Sequence, residues 1–189
     1  MVHSFDSEVL VHIEKSLAPT KENEKQWYTS SYKTIIQLLN DRKAKQNNLY
    51  QDVDIKLAIS LAYSWMPRIP NIVVENWGEL TKDINNLGSQ YSIDERVFVS
   101  TLKKCVKQID NSVIGFSKVL HFLFPDKYAI LDNRVKLSWN KLFPNNKLSY
   151  KLSVDDFIKY QKNINLWSKN TSVQLRDLES LLFIYSKTL

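Results

Sequence analysis

A chain of 189 residues with 43% hydrophobic, 12% aromatic and 24% charged residues has a globular composition, suited to a single helical domain over 1–189 or to two intimately packed lobes. No apolar run approaches the roughly 20 residues that span a bilayer, one cysteine rules out an internal disulfide, and three glycines with five prolines leave few tight β-turns. The net charge is +6, and Met1 to Asp6 lacks the basic region and apolar core of a secretory leader, so a cytoplasmic protein is expected.

Apolar residues recur at helical spacing along most of the chain. Asp6 or Ser7 opens a first helix with Val9, Leu10, Ile13 and Leu17 on one face; Pro19 follows its end, and Lys21 to Lys25 is a charged loop. Trp27, Tyr28, Ser31, Ile35, Leu38 and Leu39 mark a second helix that runs out in Arg42-Lys43-Ala44-Lys45. A third starts at Asp52 or Asp54, carries Ile55, Ala58, Ile59, Ala62 and Trp65, and ends at Pro67 and Pro70. Ile72 to Leu87 reads as a fourth, with Gly88 as its stop. Ser92-Ile93-Asp94-Glu95 has the form of a capping box and starts a fifth through Phe98, Leu102, Cys105 and Ile109. Lys103, Lys104 and Lys107 fall on its wet side, and Cys105 is a small core residue.

The next stretch organises the rest. From Val113 to Phe124 apolar residues surround nearly the whole circumference of a helix, which belongs inside a fold. Pro125 cannot continue it, Asp126-Lys127 makes a turn, and Tyr128-Ala129-Ile130-Leu131 runs extended to a single carboxylate, Asp132. Val135, Ser138, Trp139 and Leu142 then recur at helical spacing, which sets Asp132 at the N-cap of a helix ending near Phe143-Pro144. After a loop from Asn145 to Lys151, Ser153 caps a helix with Phe157, Ile158, Tyr160 and Gln161, and Thr171 or Ser172 caps a last one through Leu189. The fold class is mainly α, a compact bundle of eight or so helices.

The run Ser117 to Val135, SKVLHFLFPDKYAILDNRV, is similar to the segment of helix-hairpin-helix DNA glycosylases in which a hairpin leads into a buried helix and then to a catalytic Asp. It resembles still more closely bacterial relatives of that superfamily, as does Leu175-Arg176-Asp177-Leu178-Glu179 followed by Phe183 and Tyr185. The resemblance implies a DNA-binding, glycosylase-like fold with Asp132 as the catalytic carboxylate. Where the family's hairpin has two glycines, this chain has Asp110 and Ser112, with Gly115 nearby, and the Schiff-base lysine of bifunctional members aligns with Ile114. The implied hydrolase is therefore monofunctional: it cleaves an N-glycosidic bond and stops at the abasic site.

Residues 127–162 contain eight Lys or Arg against Asp132, Asp155 and Asp156, which accounts for +5 of the total charge. Lys127, Lys136, Lys141, Lys147 and Lys151 are the candidate phosphate contacts, because each neutralised phosphate releases a counterion; a solvated lysine-rich face is the alternative. Asp132 can stabilise a developing oxocarbenium or serve only as a cap. Lys118 and His121 share one helix face, Lys118 as a displaced amine or a snorkelling side chain, His121 as an accessory group or a satisfied core histidine. Arg134 suits a phosphate or a buried acid. Tyr128, Trp139 and Trp65 are either walls for a flipped base or core. Arg176, Asp177 and Glu179 form a charge network supporting the central segment.

His3, His12, His121 and Cys105 lack metal-ligand spacing, and no P-loop, dinucleotide fingerprint or nucleophile elbow occurs, so neither metal nor cofactor is expected. The expected partner is nucleic acid, DNA before RNA, with no membrane. The rival is a non-catalytic DNA-binding or protein-interaction module of the same fold, as in bacterial defence or a toxin–antitoxin pair, against a role in DNA repair.

Overall fold

The computed structural model describes residues 7–17, 26–66, 69–89 and 95–189. Within them the chain forms nine α-helices and no strand beyond an isolated bridge. They are α1 (Ser7–Leu17), α2 (Gln26–Ala44), α3 (Asp52–Ser64), α4 (Trp77–Ser89), α5 (Glu95–Gln108), α6 (Val113–Leu123), α7 (Asn133–Leu142), α8 (Val154–Thr171) and α9 (Leu175–Tyr185). No helix among the described residues is long and apolar enough to cross a membrane. The expected loop Lys21 to Lys25 and most of the capping box at Ser92 lie outside the described residues.

Helix α6 is the centre of the fold. It is packed by α2, α3, α4, α5 and α8, as its all-round apolar sequence requires. Only Ile114 and Lys118 on it escape burial, and they stand one turn apart on the same face. Around this core α7 pairs with α9, and α1 also packs against α9.

The turn into α6 takes left-handed backbone at Asp110 (φ 60) and Asn111 (φ 46). Asp and Asn tolerate that conformation better than other non-glycine residues, so the tight reversal needs no glycine. Ser112 is not part of the strain: it is the extended N-cap of α6 and accepts a hydrogen bond from Gly115 N at 3.1 Å. The Asp110 carboxylate accepts from Tyr63 Oη at 3.1 Å and from Asn71 N at 3.0 Å, which ties the turn to α3 and to the segment before α4. A Cβ on Gly115 would strike the Tyr63 hydroxyl, so glycine there keeps that link in place.

Three boundaries differ from the sequence reading. Ile72 to Val74 is not helical, because Ile72 bridges Ile109 and Val73 N donates to Gln108 O at 2.9 Å. The β-branched pair prefers that extended setting, and Asn76 caps α4 instead through Glu79 N at 3.1 Å. Gly88 does not stop α4 but lies buried inside it, where a Cβ would overlap the Phe124 ring. Thr171 and Ser172 end α8, with Ser172 left-handed at φ 58, and α9 starts after Gln174.

Candidate functional site

The extended run from Tyr128 to Leu131 is buried and has no neighbouring strand among the described residues, so its peptide groups need other partners. Side chains from α6, α8 and α9 supply them. Gln161 pairs with Ala129 on both sides, accepting from its N at 3.0 Å and donating to its O at 2.6 Å. Ser117 Oγ accepts from Leu131 N at 3.2 Å and lies 3.1 Å from Leu131 O. The Ile130 amide faces the Glu179 carboxylate and acts to lower its pKa against burial. His121 Nδ1 lies 2.6 Å from Tyr128 O, and because a carbonyl only accepts, Nδ1 carries the proton. Nε2 then accepts from Tyr32 Oη at 2.8 Å. Burial first, then Arg176, pushes the His121 imidazole down to about 3, and burial pushes the Tyr32 hydroxyl up to about 12.

This scaffold delivers Asp132, half-exposed, to the start of α7, where its Oδ1 accepts from Val135 N at 2.9 Å. Four further groups gather about it. Lys118 reaches over from the open face of α6; burial lowers its amine's pKa, while the charges of Asp132 and Glu179 act to raise it. Among the described residues the amine makes no hydrogen bond or ion pair. Glu179, 4% exposed, meets Arg176 Nη1 through Oε1 at 2.5 Å, while its Oε2 is buried without a partner. Burial raises its carboxyl above the ordinary range against the pull of Arg176, and Asp132 adds to the rise. Tyr160, fully buried on α8, likewise leaves its hydroxyl unpartnered and has its pKa raised by burial and by the charges of Glu179 and Asp132. Arg176 also stacks over the Tyr32 ring at 4.5 Å, which links this cluster to His121.

The structure thus brings Asp132, Lys118, Arg176 and Glu179 together, and corrects other assignments. Tyr128 and Trp139 are fully buried, Tyr128 Oη donating to Leu87 O at 2.8 Å and Trp139 Nε1 to Asn146 O at 2.9 Å; neither offers a face to a base. His121 is a satisfied core group. Trp65 is half-buried, edge-on to Phe122 at 5.4 Å. Arg134 turns away to lie over Phe183 at 5.1 Å. Lys127 donates to Gly88 O at the end of α4, across the length of the extended run from Asp132. Lys136 donates to Tyr150 O at 2.8 Å, and Lys141, Lys147 and Lys151 are exposed.

No family model, curated protein or solved structure matches the chain. The site rests on its own chemistry. Tyr160 and Tyr32 carry no sequence signal of a site role, since aromatics at helical spacing read as core. Two carboxyls in unlike settings, one half-open at a helix N-terminus and one buried with its pKa raised, are an arrangement that divides acid and base roles. Among the described residues no group of three His, Cys, Asp or Glu side chains comes together.

Proposed function

We propose that the protein binds nucleic acid and hydrolyses an N-glycosidic bond, as a monofunctional glycosylase of the helix-hairpin-helix kind. The observation that carries this reading is Asp132: a half-exposed carboxylate set by a buried, side-chain-bonded run beside Lys118 and the buried acid Glu179. When the base leaves with the bonding pair, positive charge develops on the sugar. The Asp132 carboxylate stabilises that oxocarbenium, and water adds to it.

The test uses duplexes carrying damaged or modified bases. Asn caps a helix about as well as Asp but supplies no charge. Asp132→Asn is therefore expected to keep its melting temperature and its binding while base release falls about 100- to 1,000-fold. A folded variant that releases base at the wild-type rate would remove Asp132 from the mechanism. Borohydride is expected to trap no adduct; an adduct lost in Lys118→Gln would instead make that amine a nucleophile.

A second reading, a non-catalytic module of the same fold, is favoured by Asp110. Its carboxylate puts negative charge at the turn where a phosphate would approach. Binding without release of any base would support it.

A further inference from the structure

The loop between α7 and α8 presents an aromatic ring that the sequence reading left unassigned. Tyr150 is 97% exposed, the most open large hydrophobic side chain among the described residues. Its backbone is not loose. Asn140 brackets Leu148, accepting from its N at 2.7 Å and donating to its O at 2.9 Å. Ser149 N donates to the Asp156 carboxylate at 2.9 Å, Lys159 holds Lys147 O at 2.8 Å, and Lys136 holds Tyr150 O at 2.8 Å. The Lys136 amine also sits 5.4 Å from the centre of the Tyr150 ring. Lys147 and Lys151, both exposed, flank it in sequence. Of the nearby acids, Asp156 is buried beneath the loop and Asp155 faces Lys103 at 3.4 Å.

A pinned loop that holds an aromatic ring in water, with one amine at the ring and two exposed lysines beside it in sequence, has the two components of single-strand recognition: a π-face for a base and charge for the backbone. Duplex bases have both faces covered, so an open ring selects unpaired ones. We propose that Tyr150 is a stacking platform for an unpaired base of a single-stranded nucleic acid, whose phosphates lie against Lys136, Lys147 and Lys151. This rests on the nucleic-acid part of the reading above and is independent of catalysis at Asp132.

Fluorescence anisotropy with labelled oligo(dT), oligo(U) and a blunt duplex tests it. Tyr150→Ala is expected to weaken oligo(dT) binding roughly tenfold with the salt slope unchanged, and Tyr150→Phe to bind as wild type. Lys147→Glu and Lys151→Glu are each expected to flatten the slope by about 0.7. Oligo(U) binding equal to oligo(dT) would make the platform indifferent to the sugar, and weaker binding would make it a DNA contact. If Tyr150→Ala binds oligo(dT) like wild type while the lysine variants weaken, stacking is overturned and nucleic-acid binding stands. An equal loss on the blunt duplex would overturn the preference for unpaired bases, and a wild-type protein that binds no oligonucleotide at low salt would overturn both. The exposed position of Tyr150 predicts unchanged melting temperatures throughout.

Discussion

The two ends of the run from Tyr128 to Asp132 are both polar and differ in one respect. At the Tyr128 end, His121 uses both ring nitrogens, Tyr128 uses its carbonyl and hydroxyl, and Gln161 closes the Ala129 peptide. At the Asp132 end, the Lys118 amine makes no hydrogen bond or ion pair among the described residues, and Glu179 Oε2 and the Tyr160 hydroxyl are buried without a partner. A fully satisfied buried network rigidifies a fold, whereas an unpartnered group retains capacity to bind or react. One end therefore holds the segment, and the other leaves polar atoms free for a ligand.

Breaking the closed end gives the largest expected loss of stability. His121→Leu fills similar space but leaves the Tyr128 carbonyl and Tyr32 hydroxyl unpaired, at a cost of about 3 kcal/mol in urea unfolding. An equally stable variant would show that these bonds hold nothing.

The same histidine predicts an acid response. Its folded pKa, about 3, lies below the ordinary value of 6.5, so the unfolded chain takes up a proton that the folded chain refuses. Above the unfolded value the group contributes no pH dependence; as pH falls through it, stability is lost, by about 2 kcal/mol between pH 7 and pH 5. A flat profile in that window would contradict a buried neutral imidazole.

At the open end, Lys118→Met removes a desolvated amine that no described residue pairs with, so stability should change by less than about 1 kcal/mol in either direction. Base release, if Lys118 helps to hold the substrate, should fall while the melting temperature stays. A large destabilisation would place Lys118 among the structural groups. The smallest effect belongs to the turn. Asn111→Gly relieves a left-handed residue and should stabilise by no more than about 0.5 kcal/mol, since glycine also gains freedom in the unfolded chain.

The helical class, the interior position of α6 and the cap at Asp132 were legible in the sequence, because each is set by neighbours within a turn or two. Apolar residues all round Val113 to Phe124 leave that helix no wet face, and an Asp after a proline-terminated helix and before a periodic segment has a local reason to cap. The grouping of Lys118, Asp132, Tyr160 and Glu179 had no such signal beyond the suspected charge network. Four separate elements meet there only through packing. Exposure of aromatics was likewise undecided: Tyr128, Trp139 and Tyr150 belong to the same residue class, yet two are sealed in the core and one stands in water. Gly88 shows the physical reason most directly. A glycine near a helix end reads as a stop, but here a ring more than thirty residues onward occupies the space a Cβ would need, and only the tertiary structure brings that ring there.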